Sequence, residues 1–298
     1  MKRISSLLLA IFFTSTIPFS VADHHAQSSF KVTNISDNLI LLQGRGGNIA
    51  LNRGQDGVLI IDNDYADLGK ELKQQIENLA GGSALKFILN THWHGDHTGN
   101  NESLNQQENV NIVAHNNVRK RLSTRQEMPA FNRVVEAHPR PALPTITFPD
   151  SMTLHFNDET LILQHYAKGH TDGDSVIFFK KNNAVHMGDH MFYPMFPFVD
   201  LASGGNAISY AENVGKVLEA IDSETVVIPG HGPLTDKQGL MDFHTMLVST
   251  IAEVKSMKAE GLSMKAAQAK GLSAKWKKWN VGFIKEPVWI SFIYSSLK

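Results

Sequence analysis

Four potential metal ligands stand within six positions of the stretch THWHGDHTGN, residues 91–100: His92, His94, Asp96 and His97. On an extended segment, side chains two positions apart point the same way, so His92 and His94 can face one point. Asp96 and His97 follow where the chain turns, and they can face a second point. One ion does not easily take four ligands from so short a span, so the spacing favours two adjacent metal ions.

Three further candidates each follow an apolar run that ends in a glycine-containing turn. They lie just past the runs at residues 161–166, 184–187 and 226–228: His170, Asp189 and His231. Functional side chains cluster in loops at strand ends, where a rigid scaffold positions them. The chain has no cysteine, so any zinc site must use His, Asp or Glu. Such ligands favour an open, reactive site over the closed thiolate sites typical of structural zinc.

The elements that must position these residues are interleaved strands and helices, so the predicted fold class is mixed α/β. Apolar runs predict strands at Asn38–Gln43, Val58–Ile61, Phe87–Leu89, Ile112–Ala114, Thr153–Phe156, Leu161–Tyr166, Ser175–Phe179, Ala184–Met187 and Thr225–Ile228. Spacings of three and four residues predict helices at Asp67–Leu79, Ile208–Ile221 and over most of the tail from Phe243.

Three local features refine this interpretation. Asp67 is expected to cap the first helix, and Ser263 a short helix in the tail. Within that tail, Val288–Ile293 is typical of a strand. The segment Arg119–Pro149 contains five prolines and no clear periodicity. A long irregular segment of this kind often forms a lid or a substrate-binding wall, and the alternative is a mobile loop.

The amino terminus predicts export. Residues 1–22 combine Lys2 and Arg3, an apolar run and the small residues Ser20 and Ala22, which is typical of a cleaved secretory signal. The alternative is an uncleaved anchor. We therefore expect a single domain over residues 23–298, with a helical region from about residue 243, located in the periplasm or secreted. No other apolar run is long enough to cross a bilayer, so no stable membrane insertion is expected after cleavage.

The charge of the chain gives no reason to expect a nucleic-acid partner. The 298 residues carry a formal net charge of −1, and a small-molecule substrate is the expected partner. Residues 251–298 hold nine lysines against three glutamates, a local charge of +6. This excess indicates a solvated helical face, and the alternative is a rim for an anionic substrate.

The order His-x-His-x-Asp-His, Gly-His, Gly-Asp and Gly-His resembles the metallo-β-lactamase-fold hydrolase superfamily over roughly Asn38 to His231. The resemblance implies a four-layer αβ/βα sandwich with a metal site at one edge of its two sheets. It implies two zinc ions per chain: one held by three histidines, one held by an aspartate and two histidines, and both bridged by a carboxylate. The groups are His92, His94 and His170; Asp96, His97 and His231; and Asp189. Asp62 matches an aspartate that supports the site from behind.

The mechanism that the resemblance implies is hydrolysis. Zinc-bound water has its pKa lowered to about 7, so a hydroxide is available at neutral pH to attack a carbonyl carbon. Asp96 would orient that hydroxide, and Asp189 would hold the two metals together. No serine or cysteine nucleophile is required. The expected enzyme is a zinc-dependent, β-lactamase-like metallo-hydrolase acting on a cyclic amide or ester, a β-lactam or a lactone.

Several alternatives share the motif. Asp189 resembles the bridging residue of glyoxalase II-type thioesterases and lactonases, whereas export argues against glyoxalase II itself. Thioesterase activity is therefore the first alternative, and a persulfide dioxygenase with one iron ion is another. Near-neutral charge and export argue against nuclease members. A zinc-binding protein without catalytic activity is the remaining alternative.

Other residues near the motifs have less defined roles. The stretch at residues 191–205 resembles exported, β-lactamase-like members, and its aromatic residues either wall a pocket or fill the core: Phe192, Tyr193, Phe196 and Phe198. His190, next to Asp189, has no role assigned by sequence. The histidines expected at the surface or in the core are His115, His138, His155, His165, His186 and His244.

Overall fold

A computed structural model describes residues 29–297, with the backbone alone at residues 107 and 108. The predicted signal at residues 1–22 lies outside the described residues. Within them, no helix has the length and apolar character needed to cross a membrane.

The described residues contain fourteen strands. They are β1 (Lys31–Asn34), β2 (Leu39–Gln43), β3 (Ile49–Gly54), β4 (Gly57–Ile61), β5 (Leu85–Leu89), β6 (Asn111–His115), β7 (Gln126–Met128), β8 (Arg133–Val135), β9 (Ile146–Phe148), β10 (Ser151–Phe156), β11 (Glu159–His165), β12 (Ser175–Phe179), β13 (Ala184–His186) and β14 (Val226–Ile228).

The α-helices of the same range are α1 (Gly69–Ala80), α2 (Gly95–Thr98), α3 (Asn101–Glu108), α4 (Asn116–Leu122), α5 (Ala207–Ala220), α6 (Lys237–Ala259), α7 (Met264–Lys270) and α8 (Glu286–Ser296). Ser263 caps α7 by accepting a hydrogen bond from the backbone N–H of Ala266, as predicted.

Two sheets face each other at the centre of the molecule. The first has the order β1-β2-β3-β4-β5-β6-β9, and the second has the order β10-β11-β12-β13-β14. The first is antiparallel from β1 to β4 and parallel from β4 to β9. In the second, only β13 and β14 pair in parallel. Strands β7 and β8 form a separate hairpin.

Helices cover the outer face of each sheet, which confirms the predicted four-layer sandwich. Strand β2 shows the principle: Leu39 and Leu41 belong to the cluster between the sheets, whereas Ile40 and Leu42 pack against the outer helices α1 and α3. Successive side chains of a strand point to opposite faces, so a strand covered on both faces is apolar throughout. The helices α5, α6 and α8 cover the second sheet in the same way.

Two local predictions were wrong. Asp67 does not cap α1: that helix begins at Gly69 after a 3₁₀ turn, and Leu68 at its N-cap makes no side-chain bond. Asp67 instead pairs with Arg45 at 2.5 Å. The run Val288–Ile293 lies inside α8. It is apolar nearly throughout because the helix is buried against α5 and α6, so it lacks the polar positions that reveal a helical period.

The segment Arg119–Pro149 is more regular than predicted. It contains the end of α4, the β7–β8 hairpin, two 3₁₀ turns and the edge strand β9. Within the hairpin, Gln126 pairs with Val135 and Met128 with Arg133. The segment therefore consists largely of regular secondary structure that packs beside the sheets.

Replacing Trp289 with alanine tests how much α8 contributes to the fold. Trp289 is fully buried, and its indole N–H donates to Thr250 Oγ1 at 3.0 Å. We expect Trp289→Ala to lower the free energy of unfolding by about 3–5 kcal/mol, because the truncation leaves a cavity and removes the hydrogen bond to Thr250 Oγ1. Urea unfolding followed by circular dichroism measures it. The control Val248→Ala, on the exposed side of α6, should change stability by less than about 0.5 kcal/mol. Equal losses in the two variants would contradict this account of α8.

Candidate metal centre

The seven predicted ligands come from four strand ends that meet at one edge of the sandwich. His92 and His94 follow β5, and Asp96 and His97 lie in the short helix α2. His170 follows β11, Asp189 follows β13 and His231 follows β14. The structure brings all seven into two adjacent groups: His92, His94, His170 and Asp189; and Asp96, His97 and His231.

Four ligand atoms of the first group surround one point. His94 Nδ1 lies 3.2 Å from His92 Nε2 and 2.8 Å from His170 Nε2. Asp189 Oδ2 lies 3.6 Å from His92 Nε2 and 3.3 Å from His170 Nε2. All four residues are buried. We refer to this set as the three-histidine group.

The second group surrounds a neighbouring point. Its three atoms are Asp96 Oδ2, His97 Nε2 and His231 Nε2, and their separations are 3.3, 3.4 and 3.6 Å. Asp189 Oδ1 also faces it, at 3.1 Å from His97 Nε2 and 3.4 Å from His231 Nε2. The two oxygens of Asp189 are thus divided between the groups. We refer to Asp96, His97 and His231 as the two-histidine group.

These separations fit a metal ion. Donors about 2.0–2.1 Å from a tetrahedral zinc ion lie about 3.3 Å from one another. The observed spacings of 2.8–3.6 Å scatter around that value. Asp189 Oδ1 is also buried without a hydrogen-bond partner. A cation between the donors would satisfy this oxygen and the facing imidazole nitrogens, which cannot hydrogen-bond to one another without a proton.

A second layer of hydrogen bonds decides which ring nitrogen faces inward. His97 Nδ1 lies 2.7 Å from Asp62 Oδ2, which leaves Nε2 for the centre. His94 is turned the other way, since its Nε2 lies 3.0 Å from Asp200 Oδ2. His170 donates from Nδ1 to the carbonyl oxygen of Phe198 at 2.8 Å. Such partners fix both the tautomer and the ring orientation of a metal ligand.

Asp62 supports the site as the sequence predicted, and it does so from a strained backbone. Its φ is +62°, in the left-handed region that non-glycine residues seldom adopt. That conformation follows the end of β4 and lets one carboxylate accept from Thr91 N at 2.8 Å and from Thr91 Oγ1 at 2.7 Å, besides holding His97. Asp62 thereby joins the end of β4 to the start of the ligand segment.

Asp200 was not singled out by sequence. It lies in an irregular segment with no apolar periodicity, 106 positions from the histidine it supports. A glycine contact was also hidden from the sequence: a Cβ on Gly47 would lie 2.2 Å from His97 Cε1. The glycine-rich turn before β3 therefore packs directly on a ligand ring, and no larger residue fits there.

His190 is placed behind the ligands rather than among them. Its buried ring stacks on Tyr210 with centroids 5.4 Å apart, and burial lowers its pKa to about 3. Tyr210 donates its hydroxyl to the backbone oxygen of Asp189 at 2.8 Å. Burial also raises the pKa of Asp174, which accepts from Thr171 N, to about 7. Of these residues, Tyr210 supports the Asp189 backbone directly, and His190 packs against Tyr210.

The remaining histidines mostly follow expectation. His115 and His165 stack with centroids 3.6 Å apart, and His186 is buried with Nε2 3.1 Å from the Asn48 oxygen. His138 is different from what the sequence indicated, because it lines the cavity above the ligands. It is half-buried, and burial lowers its pKa.

A cavity of about 750 Å³ opens over both groups. Its floor includes His94, Asp96, Asp189 and His231. Part of the Arg119–Pro149 segment lines it, so this segment forms one side of the cavity. Of the four aromatic residues in question, Phe198 lines the cavity, Phe192 and Phe196 are core, and Tyr193 is half-buried against the core.

Electrostatics divide the histidines into two kinds. Burial lowers the pKa of His170 to about 4, and burial also holds the pKa of His92 well below its ordinary value. Burial acts on His231 in the same direction, but Asp189 and Asp96 outweigh it and raise its pKa to about 9. The same carboxylates, with Asp62, raise the pKa of His97. Before metal binding, His97 and His231 therefore favour their protonated forms, whereas His92 and His170 favour their neutral forms.

Comparison with known proteins agrees with this geometry. A family model described as the metallo-β-lactamase superfamily matches residues 44–231, a range that contains all seven donors. The chain belongs to this superfamily. A probable metallo-hydrolase of Bacillus subtilis, YqgX, is 28% identical over 170 residues, which is 56% of this chain and 77% of the relative.

Solved structures show the same fold. A metallo-β-lactamase from Pontibacter korlensis superposes with a TM-score of 0.60 at 19% identity, covering 73% of this chain and 98% of that chain. The sec-alkylsulfatase Pisa1 from Pseudomonas sp. superposes with a TM-score of 0.66 at 13% identity, covering 90% of this chain but 50% of the sulfatase. These two matches show the shared fold. The family model and the Bacillus subtilis relative support a metallo-hydrolase of this superfamily, with a His/Asp cluster suited to metal ions.

Metal binding should release protons and become tighter as the pH rises. An imidazole must lose its proton before it can bind a metal, and His97 and His231 carry protons at pH 7 in the metal-free protein. Since the pKa of His231 is raised to about 9, its proton competes with metal below that pH and ceases to compete above it. Calorimetric zinc titrations at pH 7 in two buffers of different ionisation enthalpy should give at least about two protons released per chain, with any further proton coming from metal-bound water.

A matched control separates this effect from histidines elsewhere. His155 is exposed and lies outside both groups, so His155→Gln should leave the proton count unchanged. His231→Gln should lower the count by about one. A wild-type count of zero would contradict the proposed protonation of the two-histidine group.

Proposed function

We propose that the protein is an exported dinuclear zinc hydrolase that opens a cyclic amide or ester. One observation carries the proposal: the buried carboxylate of Asp189 turns one oxygen toward each group of histidines, with all four contacts between 3.1 and 3.6 Å. A carboxylate that served one ion would not need to be shared in this way. Membership of a metallo-hydrolase superfamily supports hydrolysis as the reaction.

The donor atoms favour zinc. All seven are imidazole nitrogens or carboxylate oxygens, which suit a borderline metal, and no thiolate is available. A single iron ion, as in the persulfide dioxygenase alternative, would leave the second group of donors unused. The His92, His94 and His170 nitrogens would hold one ion. Asp96, His97 and His231 would hold the other, with Asp189 between them.

Bound zinc would lower the pKa of a water molecule and act as a Lewis acid toward a carbonyl oxygen. The protein residues would position the water and the metal ligands. Asp96 is about one-fifth exposed and lines the cavity floor, so its carboxylate can hold an attacking water by a hydrogen bond. Asp62, Asp200 and the Phe198 carbonyl keep the rings from turning while a substrate enters. Such preorganisation costs no rearrangement at the moment of reaction.

The cavity indicates the class of substrate. Its volume of about 750 Å³ is suited to a drug-sized molecule. Its walls include Trp93, Met128 and Phe198, which favour an apolar substituent. Arg133 also lines it and forms no ion pair within residues 29–297, so it is available to an anionic group. A β-lactam or a lactone with an apolar side chain meets these requirements. Thioester hydrolysis is the alternative, favoured by the bridging aspartate.

Metal analysis and a substrate panel test the proposal together. The mature protein should contain two zinc ions per chain and should hydrolyse at least one of a chromogenic cephalosporin, an acyl-homoserine lactone and a lactoyl thioester. Glutathione persulfide is the fourth substrate, for the iron alternative. Asp189→Asn should lose one metal ion and reduce kcat/KM by at least about 100-fold, because the second ion loses a charged ligand.

The control for this variant is Asp242→Asn, an exposed position on α6. It should keep both metal content and activity. Wild-type activity in Asp189→Asn or His94→Ala would remove the proposed centre. Two bound zinc ions without turnover of any ester, thioester or lactam would instead support the non-catalytic alternative.

Export is a separate part of the proposal, supported by the composition of residues 1–22. We expect the protein in the periplasmic fraction, and its mass by intact-protein mass spectrometry should equal that of a chain that begins at Asp23. Replacing Lys2 and Arg3 with glutamate should retain the precursor in the cytoplasm, since the signal requires a positive amino-terminal region. A membrane-bound protein that keeps residues 1–22 would contradict cleavage and favour the anchor.

A further inference from the structure

One surface segment presents positive charge and apolar side chains together. Residues 273–288 contain four lysines and one glutamate, and all four lysines are exposed: Lys275, Lys277, Lys278 and Lys285. Three apolar side chains of the segment are exposed as well, Val281 at 64%, Phe283 at 55% and Val288 at 40%. We refer to residues 273–288 as the basic lip. It holds four of the nine lysines of residues 251–298, so much of the positive charge of that region is concentrated here.

Two glutamates in and beside the basic lip are engaged by backbone and indole donors. Glu253 accepts from the Ser273 N–H at 2.8 Å and from the Trp276 indole N–H at 2.9 Å. Glu286 accepts from the Leu272 N–H at 3.2 Å. Within residues 29–297, none of the four lysines of the basic lip forms an ion pair. Their charge is therefore available to a partner.

The backbone of the basic lip is anchored on both sides of its exposed apolar residues. On one side, Trp279 is buried, and its backbone oxygen accepts a hydrogen bond from the Phe196 N–H at 3.0 Å. On the other side, the Glu286 N–H donates to Asn280 Oδ1 at 2.9 Å and closes the turn between them. The turn therefore presents its apolar side chains to solvent from a fixed base.

The mixture of lysine and apolar side chains fits the surface of an anionic bilayer. A lysine close to such a surface strengthens binding by about fivefold. Apolar side chains next to the lysines can enter the boundary between the headgroups and the acyl chains. Protein interfaces are depleted of lysine, and a polyanion such as a nucleic acid would leave the apolar side chains in water. A bilayer is the partner that uses both kinds of side chain.

We propose that the basic lip docks the protein on the surface of a membrane that contains anionic phospholipids. The lysines contact the headgroup phosphates, and Val281 and Phe283 enter the boundary beneath them. Docking is peripheral, through the side chains of one surface segment. Phe283 also lines the cavity, so the docked lip holds one side of the cavity entrance next to the membrane. The proposal does not depend on the reaction that the metal centre catalyses.

Binding to lipid vesicles tests the basic lip. The protein is the zinc-loaded chain from Asp23, so that the apolar run of residues 1–22 makes no contribution. In cosedimentation, we expect it to bind vesicles containing about 30% phosphatidylglycerol at least about 30-fold more tightly than pure phosphatidylcholine vesicles. Raising the salt concentration from about 0.05 M to about 0.5 M should weaken this binding at least about fivefold, because exposed charges are screened.

Two variants separate the contributions of charge and of apolar contact. Lys277→Glu/Lys285→Glu should weaken binding to the anionic vesicles at least about 25-fold, since each lysine contributes about fivefold. Val281→Ser/Phe283→Ser should weaken it at least about tenfold without a change in net charge, because the apolar side chains no longer leave water.

Matched controls change exposed residues of β1 and α1, on the side of the first sheet. Lys31→Glu/Lys70→Glu makes the same change in net charge as the lysine variant, and Val32→Ser removes an exposed apolar side chain. Both should bind the anionic vesicles within about threefold of the wild-type protein. Circular dichroism of every variant checks that the fold is kept.

The absence of cysteine from the chain allows a direct measurement of contact with the bilayer. Val281→Cys can carry a single environment-sensitive fluorophore, and its emission should shift to shorter wavelength when anionic vesicles are added. The same label at Lys70→Cys should not shift. This measurement leaves all four lysines of the basic lip in place, so it does not depend on the charge variants.

Any of four results would overturn membrane docking: equal binding to the two kinds of vesicle, wild-type binding in the lysine variant, wild-type binding in Val281→Ser/Phe283→Ser, or an unshifted label at position 281. The third result would indicate attraction of the lysines to any polyanion, a nucleic acid or an acidic protein included. None of these measurements requires turnover, so failure of the proposed hydrolase function would leave the result on docking unaffected.

Discussion

A buried carboxylate between two sets of imidazoles is the feature on which the site depends. Asp189 is almost inaccessible to solvent, and its Oδ1 has no hydrogen-bond partner. Burying an ionised carboxylate costs several kcal/mol unless it is paired. The four histidines around it hold its pKa well below the ordinary range despite the burial. The centre is thus an assembly of donors that is compatible with burial only when positive charge lies among them.

The sandwich satisfies this constraint because strand ends, rather than one loop, deliver the donors. Strands β5, β13 and β14 are pinned within their sheets, and the ligands follow each strand by a few residues. Separate strands cannot shift independently without breaking ladder hydrogen bonds. The outer carboxylates Asp62 and Asp200 then need only to fix ring orientation. The sheets set the positions of the ligand residues, and the second layer of hydrogen bonds sets the tautomers of the ligand histidines.

Sequence reasoning recovers those parts of the molecule whose signal is local. Ser175–Phe179 is predicted at the same residues as β12, and the ligand pattern around His94 is legible because spacing and strand ends coincide. Strand β3 was missed because Asn52 and Arg53 interrupt its apolar run. The helix at Val288–Ile293 was taken for a strand because a buried helix has no polar face to mark its period.

The non-local contacts were beyond the sequence. Asp200 supports His94, which lies 106 positions away in the sequence. Gly47, in the turn between β2 and β3, packs against the His97 ring. Neither residue differs in type or setting from many others along the chain. The cavity wall has the same character: Phe131 and Phe283 approach one entrance only after the hairpin and the tail have folded. The set of potential metal ligands was therefore more predictable from the sequence than the lining of the cavity above them.

The position of Phe283 has a consequence for how such an enzyme diversifies. It belongs to the carboxyl-terminal segment that follows the last donor, His231. Its aromatic ring packs against Phe192, which is not one of the seven donors. Substitutions there change the lining of the cavity and leave the seven donors in place. Proteins with this architecture can therefore vary the lining of the cavity through mutations in the carboxyl-terminal segment while the metal-binding residues stay the same.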